Sequence, residues 1–295
     1  MAKTASSAGI VCGDSYQKNS ETVARALQRA AALGLPRLDA QLLLLHALGH
    51  AGQDRAWLIA HDGDCLQPAQ LAAYLGLCAR RAAGEPVAYI VGEKEFFGLP
   101  LQVDARVLVP RPDTETLVEW ALDVLRGLDA PSVLDLGTGS GAIALAIQSR
   151  RPDARVQAVD ASADALDVAR ANAARLGLPV RFLRGSWFDG HMGRHDLIVA
   201  NPPYVAEGDP HLAALTHEPR MALTAGPDGL GDIRAIVAQA GRHLAPHGWL
   251  LLEHGWNQAM EAQQLLLRQG FAAVQSRSDL AGIARCTGGR WPAVK

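Results

Sequence analysis

The chain has 295 residues, 49% hydrophobic and 20% charged, the profile of a packed globular protein with room for two domains of ~100 to 200 residues each. Its 28 Lys and Arg against 30 Asp and Glu leave a net charge of −2, which argues against a large nucleic-acid footprint, because neutralising phosphates takes a basic face. No apolar run approaches the ~18 residues of a membrane span, and Cys12, Cys65, Cys78 and Cys286 have no paired spacing that suggests a disulfide framework or zinc site, so a cytoplasmic protein without a metal is expected.

In chain order, residues 1–19 read as a flexible tail that lacks the apolar core of a signal peptide. Helical periodicity then runs over residues 20–83. Ser20 can cap a helix with Val23, Leu27 and Ala30 on one face, stopped by Gly34 and Pro36; a second passes through Leu38 to Leu48, a short third surrounds Trp57, and a fourth starts near Pro68. This is a small helical bundle. His46 and His50 have the i,i+4 spacing of a metal pair, but no acidic third ligand stands at the usual distance and Gly49 interrupts the helix, so they read as surface or packing residues. Over residues 84–109 the period shifts toward two: Val87, Tyr89 and Val91, then Phe96, Phe97, Leu99, Leu101 and Val103, flank Gly92-Glu93-Lys94, which predicts a β-hairpin linking two domains. A helix through Leu117, Val118 and Ala121 follows, with Asp113 or Thr114 as its cap. Arg111, between Pro110 and Pro112, is held in a stiff segment that could line a cleft.

From Ser132 onward apolar strands alternate with amphipathic helices, with strands expected at 133–134, 156–159, 180–183, 197–200 and 249–252 and further runs at 271–275 and 283–286. The fold class is therefore α/β: a Rossmann-like parallel sheet covered on both faces, occupying residues 110–295.

The first strand runs into Asp135-Leu136-Gly137-Thr138-Gly139-Ser140-Gly141. Its glycines are expected to leave backbone N–H groups free at a place where a Cβ would obstruct a ligand. A glycine-rich turn alone is only a tight strand-to-helix connection. Asp160, about twenty residues on at the end of the next strand, can accept both hydroxyls of a ribose and turns the pair into a nucleoside site. Gly-x-Gly-x-Gly is neither the dinucleotide fingerprint nor a P-loop. It fits S-adenosyl-L-methionine, whose ammonium Asp135 would attract. Trp187, after the third strand, could stack on the base or serve as half-buried core.

Asn201-Pro202-Pro203-Tyr204 ends the fourth strand, because neither proline can donate to a ladder. The side-chain oxygen of Asn201 and the carbonyl of Pro202 could accept the two hydrogens of a planar amide or amine, stabilising charge as its nitrogen attacks a methyl sulfonium. Tyr204 would stack on the flat group. Positioning of this kind is worth effective molarities of ~10⁵ M or more.

Together with Pro110-Arg111-Pro112-Asp113-Thr114-Glu115, Gly84-Glu85-Pro86-Val87, Glu95-Phe96-Phe97-Gly98, Glu218-Pro219-Arg220 and Leu252-Glu253-His254-Gly255, these motifs resemble the HemK/PrmC family, the peptide chain release factor glutamine methyltransferases. The resemblance implies methylation of the glutamine side-chain nitrogen in the Gly-Gly-Gln motif of class I release factors, with residues 20–83 as a substrate-recognition domain. It implies a cofactor site of Asp135, Gly137, Thr138, Gly139, Ser140, Gly141, Asp160, Trp187 and Asn201. Substrate would meet Asn201, Pro202, Pro203, Tyr204 and Arg111, with Asn201, Pro202 and Tyr204 catalytic. Asp279 to Arg285 departs from the family pattern at Ile283-Ala284, which puts local surface contacts in doubt. The alternatives are a glutamine of a large-subunit ribosomal protein, adenine-N6 methylation of nucleic acid, which the near-neutral charge disfavours, and a catalytically silent S-adenosylmethionine-binding module. No membrane and no sequence-specific nucleic acid is expected as a partner.

Overall fold

A computed structural model of the chain describes residues 21–50, 55–190 and 193–293; the tail expected over 1–19 and the Ser20 cap lie outside them. The chain divides into two compact units, Met1–Val91 and Gly92–Lys295.

The first unit is helical. Its helices are α1 (Val23–Ala32), α2 (Arg37–Ala47), α3 (Ala56–Ala60), α4 (Pro68–Ala82) and α5 (Val87–Val91). Thr22 caps α1, its hydroxyl oxygen accepting from the Arg25 N–H at 3.3 Å. The apolar stripes close around Val23, Leu43, Leu44, Leu58, Tyr74 and Ile90. The Tyr74 hydroxyl is buried there and donates to the Ala40 carbonyl at 3.2 Å. Cys78 is free and buried, whereas Cys65 is disulfide-bonded, a link that the scattered cysteine spacing did not suggest.

Val87–Val91 corrects one expectation: the segment is a short helix, not the first strand of a hairpin. Every residue of the run is apolar or small, so its period was ambiguous. Pro86 opens a turn in which the Tyr89 and Ile90 N–H groups both donate to its carbonyl, and Ile90 joins the helical core. The hairpin is instead β1 (Glu93–Phe96) with β2 (Leu99–Gln102), and the turn lies at Phe97-Gly98 rather than Gly92-Glu93-Lys94. Both turn residues have positive φ, 51° and 81°, the geometry that lets a two-residue turn follow the twist of its strands.

The second unit is built on β3 (Ser132–Leu136), β4 (Arg155–Asp160), β5 (Arg181–Arg184), β6 (His195–Ala200), β7 (Leu244–Glu253), β8 (Ala272–Ser278) and β9 (Ala284–Arg290). Among the described residues they form one seven-stranded sheet in the order β5-β4-β3-β6-β7-β9-β8, with β9 antiparallel to both neighbours and the remaining pairs parallel. Side-chain alternation sends Val133, Leu197, Val199 and Leu251 to one face, where α6 (Glu115–Val124), α7 (Ala142–Arg150) and α8 (Ala163–Leu176) contribute to the core. Leu134, Leu136, Ile198 and Leu252 go to the other face, against α9 (Gly231–His243) and α10 (Ala259–Arg268). The strand order reverses between β3 and β6, so the loops leaving their carboxyl ends diverge to opposite sides and leave a crevice.

Candidate functional site

The turn from β3 to α7 is built from three left-handed glycines, with φ of 72° at Gly137, 55° at Gly139 and 85° at Gly141. A Cβ at Gly141 would stand 3.0 Å from Leu145 and 3.3 Å from Ala169, so this glycine seats the helix on its neighbours. A Cβ at Gly139 would meet nothing within 4 Å, so this one opens onto the crevice. The N–H groups of the three glycines are not free as expected. Gly137 and Thr138 donate to the Val159 carbonyl, Gly139 to Asp160 Oδ2 at 2.8 Å, and Gly141 to the Thr138 carbonyl. The glycines thus supply room for close approach rather than spare donors.

Asp160 ends β4 with Oδ2 on the Gly139 N–H and Oδ1 on the Ser162 N–H at 2.9 Å. Each oxygen keeps a lone pair for a further donor, and the pair of contacts locks the carboxylate's direction. Trp187, with φ 50°, lays its ring 3.2 Å from where a Gly137 Cβ would be, and Asp232 of α9 holds its indole N–H. The ring also packs on the second core cluster, so both sequence readings of Trp187 are combined in one residue.

These groups wall a cavity of ≈ 290 Å³ at the carboxyl edge of the sheet. Arg111, Gly137, Thr138, Gly139 and Ser140 line it together with Asp160, Trp187, Asn201 and Pro203. Four expected residues do not reach its wall. Asp135 is fully buried beneath the turn, where Oδ2 accepts from the Thr138 hydroxyl at 2.6 Å and Oδ1 has no hydrogen-bond partner among the described residues. Burial pushes its carboxyl up to about 7, the Thr138 hydroxyl and the nearby Ala144 N–H offsetting this in part and the Asp160 charge adding to it. Gly141 serves helix packing. Pro202 is buried, and Tyr204 is half-buried with its hydroxyl donating to Glu253 Oε1 at 3.4 Å.

Asn201 leaves β6 into the cavity, and its Nδ2 donates to Thr114 Oγ1 at 3.3 Å. Thr114, read from sequence as a helix cap, makes no capping bond to α6. Arg111 is ion-paired with Glu218, whose other oxygen accepts from the Val109 N–H at 3.1 Å. Glu218 is buried, so it ties the Pro-Arg-Pro segment to the loop that follows Tyr204.

Three residues were missed as site members: Thr114, Glu218 and Glu253. Glu253 carried a readable signal, an acid closing the apolar run Leu250-Leu251-Leu252 as Asp160 closes its own strand. It is 1% exposed, and burial pushes its carboxyl up to about 7.

This strand order, with the glycine turn after β3 and the acid ending β4, defines a class I S-adenosylmethionine-dependent methyltransferase fold. The hMettl16 catalytic domain shares it at a TM-score of 0.55 and 15% identity, covering 77% of this chain and 84% of that one. A T. thermophilus 16S rRNA N2 G1207 methyltransferase solved with AdoMet and guanosine does so at 0.52 and 21%, over 67% of this chain and 49% of the other. The family model of the PrmC N-terminal domain matches residues 21–92, and that of the methyltransferase small domain residues 114–226. The release factor glutamine methyltransferase of Burkholderia pseudomallei is 52% identical over 93% of this chain and 98% of its own length, and that of Bordetella pertussis 52% identical over 87% and 95%. The chain belongs to the release factor glutamine methyltransferase family.

Proposed function

We propose that the protein transfers a methyl group from S-adenosyl-L-methionine to the side-chain amide nitrogen of the glutamine in the Gly-Gly-Gln motif of class I release factors. The observation that carries this reading is the placement of the Asn201 amide in the same ≈ 290 Å³ cavity as Asp160 and the open face of Gly139, so an amide acceptor and a nucleoside cradle share one space. Relatives at 52% identity that bear the release factor name support the choice of acceptor.

The cradle fits the cofactor. Asp160 has two directed oxygens for vicinal hydroxyls, Gly139 has space where a side chain would intrude, and Trp187 offers a fixed ring for a base. When bound, S-adenosylmethionine supplies a methyl on a sulfonium, which needs a well-aimed nucleophile rather than an activated enzyme side chain. Asn201 accepts a hydrogen of the substrate amide, so charge developing on its nitrogen is stabilised as it attacks. Pro203, which lines the cavity, flanks the flat amide, and Tyr204 supports it from behind. Asp135 acts through the turn, by holding Thr138, rather than by direct contact. Arg111, neutralised by Glu218, braces the rim. The helical unit exposes Leu33, Leu38 and Leu42, which supports its reading as the surface that grips the release factor. A substrate of the translation machinery puts this work in the cytoplasm.

The test is to incubate the protein with labelled cofactor and, in parallel, release factor, ribosomal protein and DNA. Labelling of release factor at the Gly-Gly-Gln glutamine is expected; labelling of DNA or ribosomal protein alone would refute the assignment.

A further inference from the structure

We propose that Gln258 is a positioning residue for the reaction, its side-chain amide fixing the course of the Asn-Pro-Pro-Tyr segment beside the cavity; the inference rests on the role given to Asn201 above. Gln258 stands between β7 and α10 and is 7% exposed. Its Nε2 donates to the Tyr204 carbonyl at 3.1 Å and to the Asp228 carbonyl at 3.3 Å, and its Oε1 accepts from the Gly255 N–H at 2.8 Å. One buried amide thus joins the loop that leaves β6, the loop that leaves β7 and the approach to α9.

The segment needs a hold from outside itself. At its start Ala200 is fixed in the sheet between Leu136 of β3 and Leu252 of β7. Pro202 and Pro203 have no N–H to donate, so the middle cannot be tied down by its own donors. Beyond it, Val205 donates to the Leu223 carbonyl and accepts from the Ala225 N–H, which pairs two stretches of the same long loop but does not join that loop to β7. Gln258 makes the join at the backbone. The Tyr204 hydroxyl also reaches β7, through Glu253 at 3.4 Å, but that contact fixes the ring and leaves the main chain free to shift.

Two carbonyls and one N–H converge here, and a carboxamide, with two donor hydrogens and an acceptor oxygen, satisfies all three. A carboxylate would set lone pairs against both carbonyls. The packing is close enough to require a glycine: Gly229 has φ of 71°, and a Cβ on it would fall against the Tyr204 carbonyl oxygen and 2.9 Å from Gln258 Nε2. Pro203, the neighbour of Tyr204, lines the cavity with Asn201, so a displaced Tyr204 carbonyl carries the amide-facing surface with it. A misplacement of ~1 Å by a change away from the reacting atoms can cost about 10²-fold in rate. The printed hydrogen bonds of the Gln258 side chain go to none of Gly139, Asp160 and Trp187, so the effect falls on transfer and spares the cofactor.

The test uses the full chain as wild type, Gln258→Met and Gln258→Glu, assayed well below the melting temperature of each. The kcat toward release factor should fall roughly 10- to 10²-fold in both variants, with cofactor affinity in calorimetry within about twofold of wild type. A carboxyl facing two carbonyls is pushed up, and once protonated it regains one donor, so the deficit of Gln258→Glu should narrow as the pH is lowered while that of Gln258→Met stays constant. A purely structural amide would lower Tm and leave kcat of the folded enzyme unchanged, and that result would overturn the proposal. Cofactor affinity that falls in step with kcat, or pH profiles that run parallel in the two variants, would overturn it as well. The Asn201 side-chain amide signals, followed by NMR without substrate, should move in both variants. Signals that stay put would overturn the proposal whatever the acceptor is, whereas wild type that fails to label release factor while those signals move would overturn only the substrate assignment.

Discussion

Asn201 and Asp135 are both polar residues at the carboxyl edge of the sheet, and their surroundings divide them into a residue for chemistry and a residue for architecture. Asn201 faces the cavity, so Asn201→Ala should lower kcat by about 10²-fold or more, the range for losing one hydrogen bond made in the transition state, while calorimetry still shows cofactor binding. Unchanged turnover would remove the amide from the reaction. Asp135 is sealed under the turn with its carboxyl pushed from 3.8 up to about 7. A folded-state pKa above the unfolded one means the group's contribution to stability is fully present below about pH 4 and lost as the pH rises through about 7. Asp135→Asn should therefore lose less Tm than wild type between pH 5 and pH 8, and equal slopes in thermal melts would contradict the burial argument. Asp160 was legible as a site residue because a strand-ending acid is a local signal. Thr114 holds the N-cap position of α6, one of the two expected, but its hydroxyl is used on Asn201, 87 residues away, rather than on its own helix.

The glycine turn between β3 and α7 performs two tasks through different glycines, a division that spacing alone does not show. Gly139 has open space where a Cβ would point, and Gly141 has Leu145 and Ala169 there. A bulky residue at Gly139 should abolish cofactor binding in calorimetry, with a stability loss of about 1 to 2 kcal/mol from its left-handed backbone alone. Gly141→Ala should instead lower stability by about 1 to 3 kcal/mol through contact and a left-handed backbone, as read by denaturant melts. A reversal of these two phenotypes would mean that the cavity has been assigned to the wrong side of the turn. The same element shows a limit of pattern reading, since the N–H groups of its glycines are consumed by Val159, Asp160 and Thr138. Short apolar runs were the other limit: Val87–Val91 carries strand-like residues but folds as a helix because its carbonyl and N–H groups pair locally after Pro86.

For the whole molecule, the chain divides into a helical unit and a sheet unit, and the proposed function assigns recognition to the first and chemistry to the second. Leu38 and Leu42 stand one turn apart on α2 and are 48% and 39% exposed, more than a helix gains by leaving leucines in water. Replacing both by Glu should raise KM for intact release factor severalfold with kcat and Tm preserved, and leave transfer to a short Gly-Gly-Gln peptide unchanged. An equal loss on peptide and protein would show that this face does not take part in recognition. The α/β class, the nucleoside acid, the glycine turn and the Asn-Pro-Pro-Tyr strand end were all determined by the sequence itself, because each is written in residues within one element of each other, as period, chain stop or spacing. Only the tertiary structure decided which groups those residues touch: Thr114 on Asn201, Glu253 on Tyr204 across 49 positions, and Glu218 on Val109 and Arg111 across 109 and 107. Those partners are set by strand order and register, which bring distant segments to one edge of the sheet and leave no periodic trace along the chain.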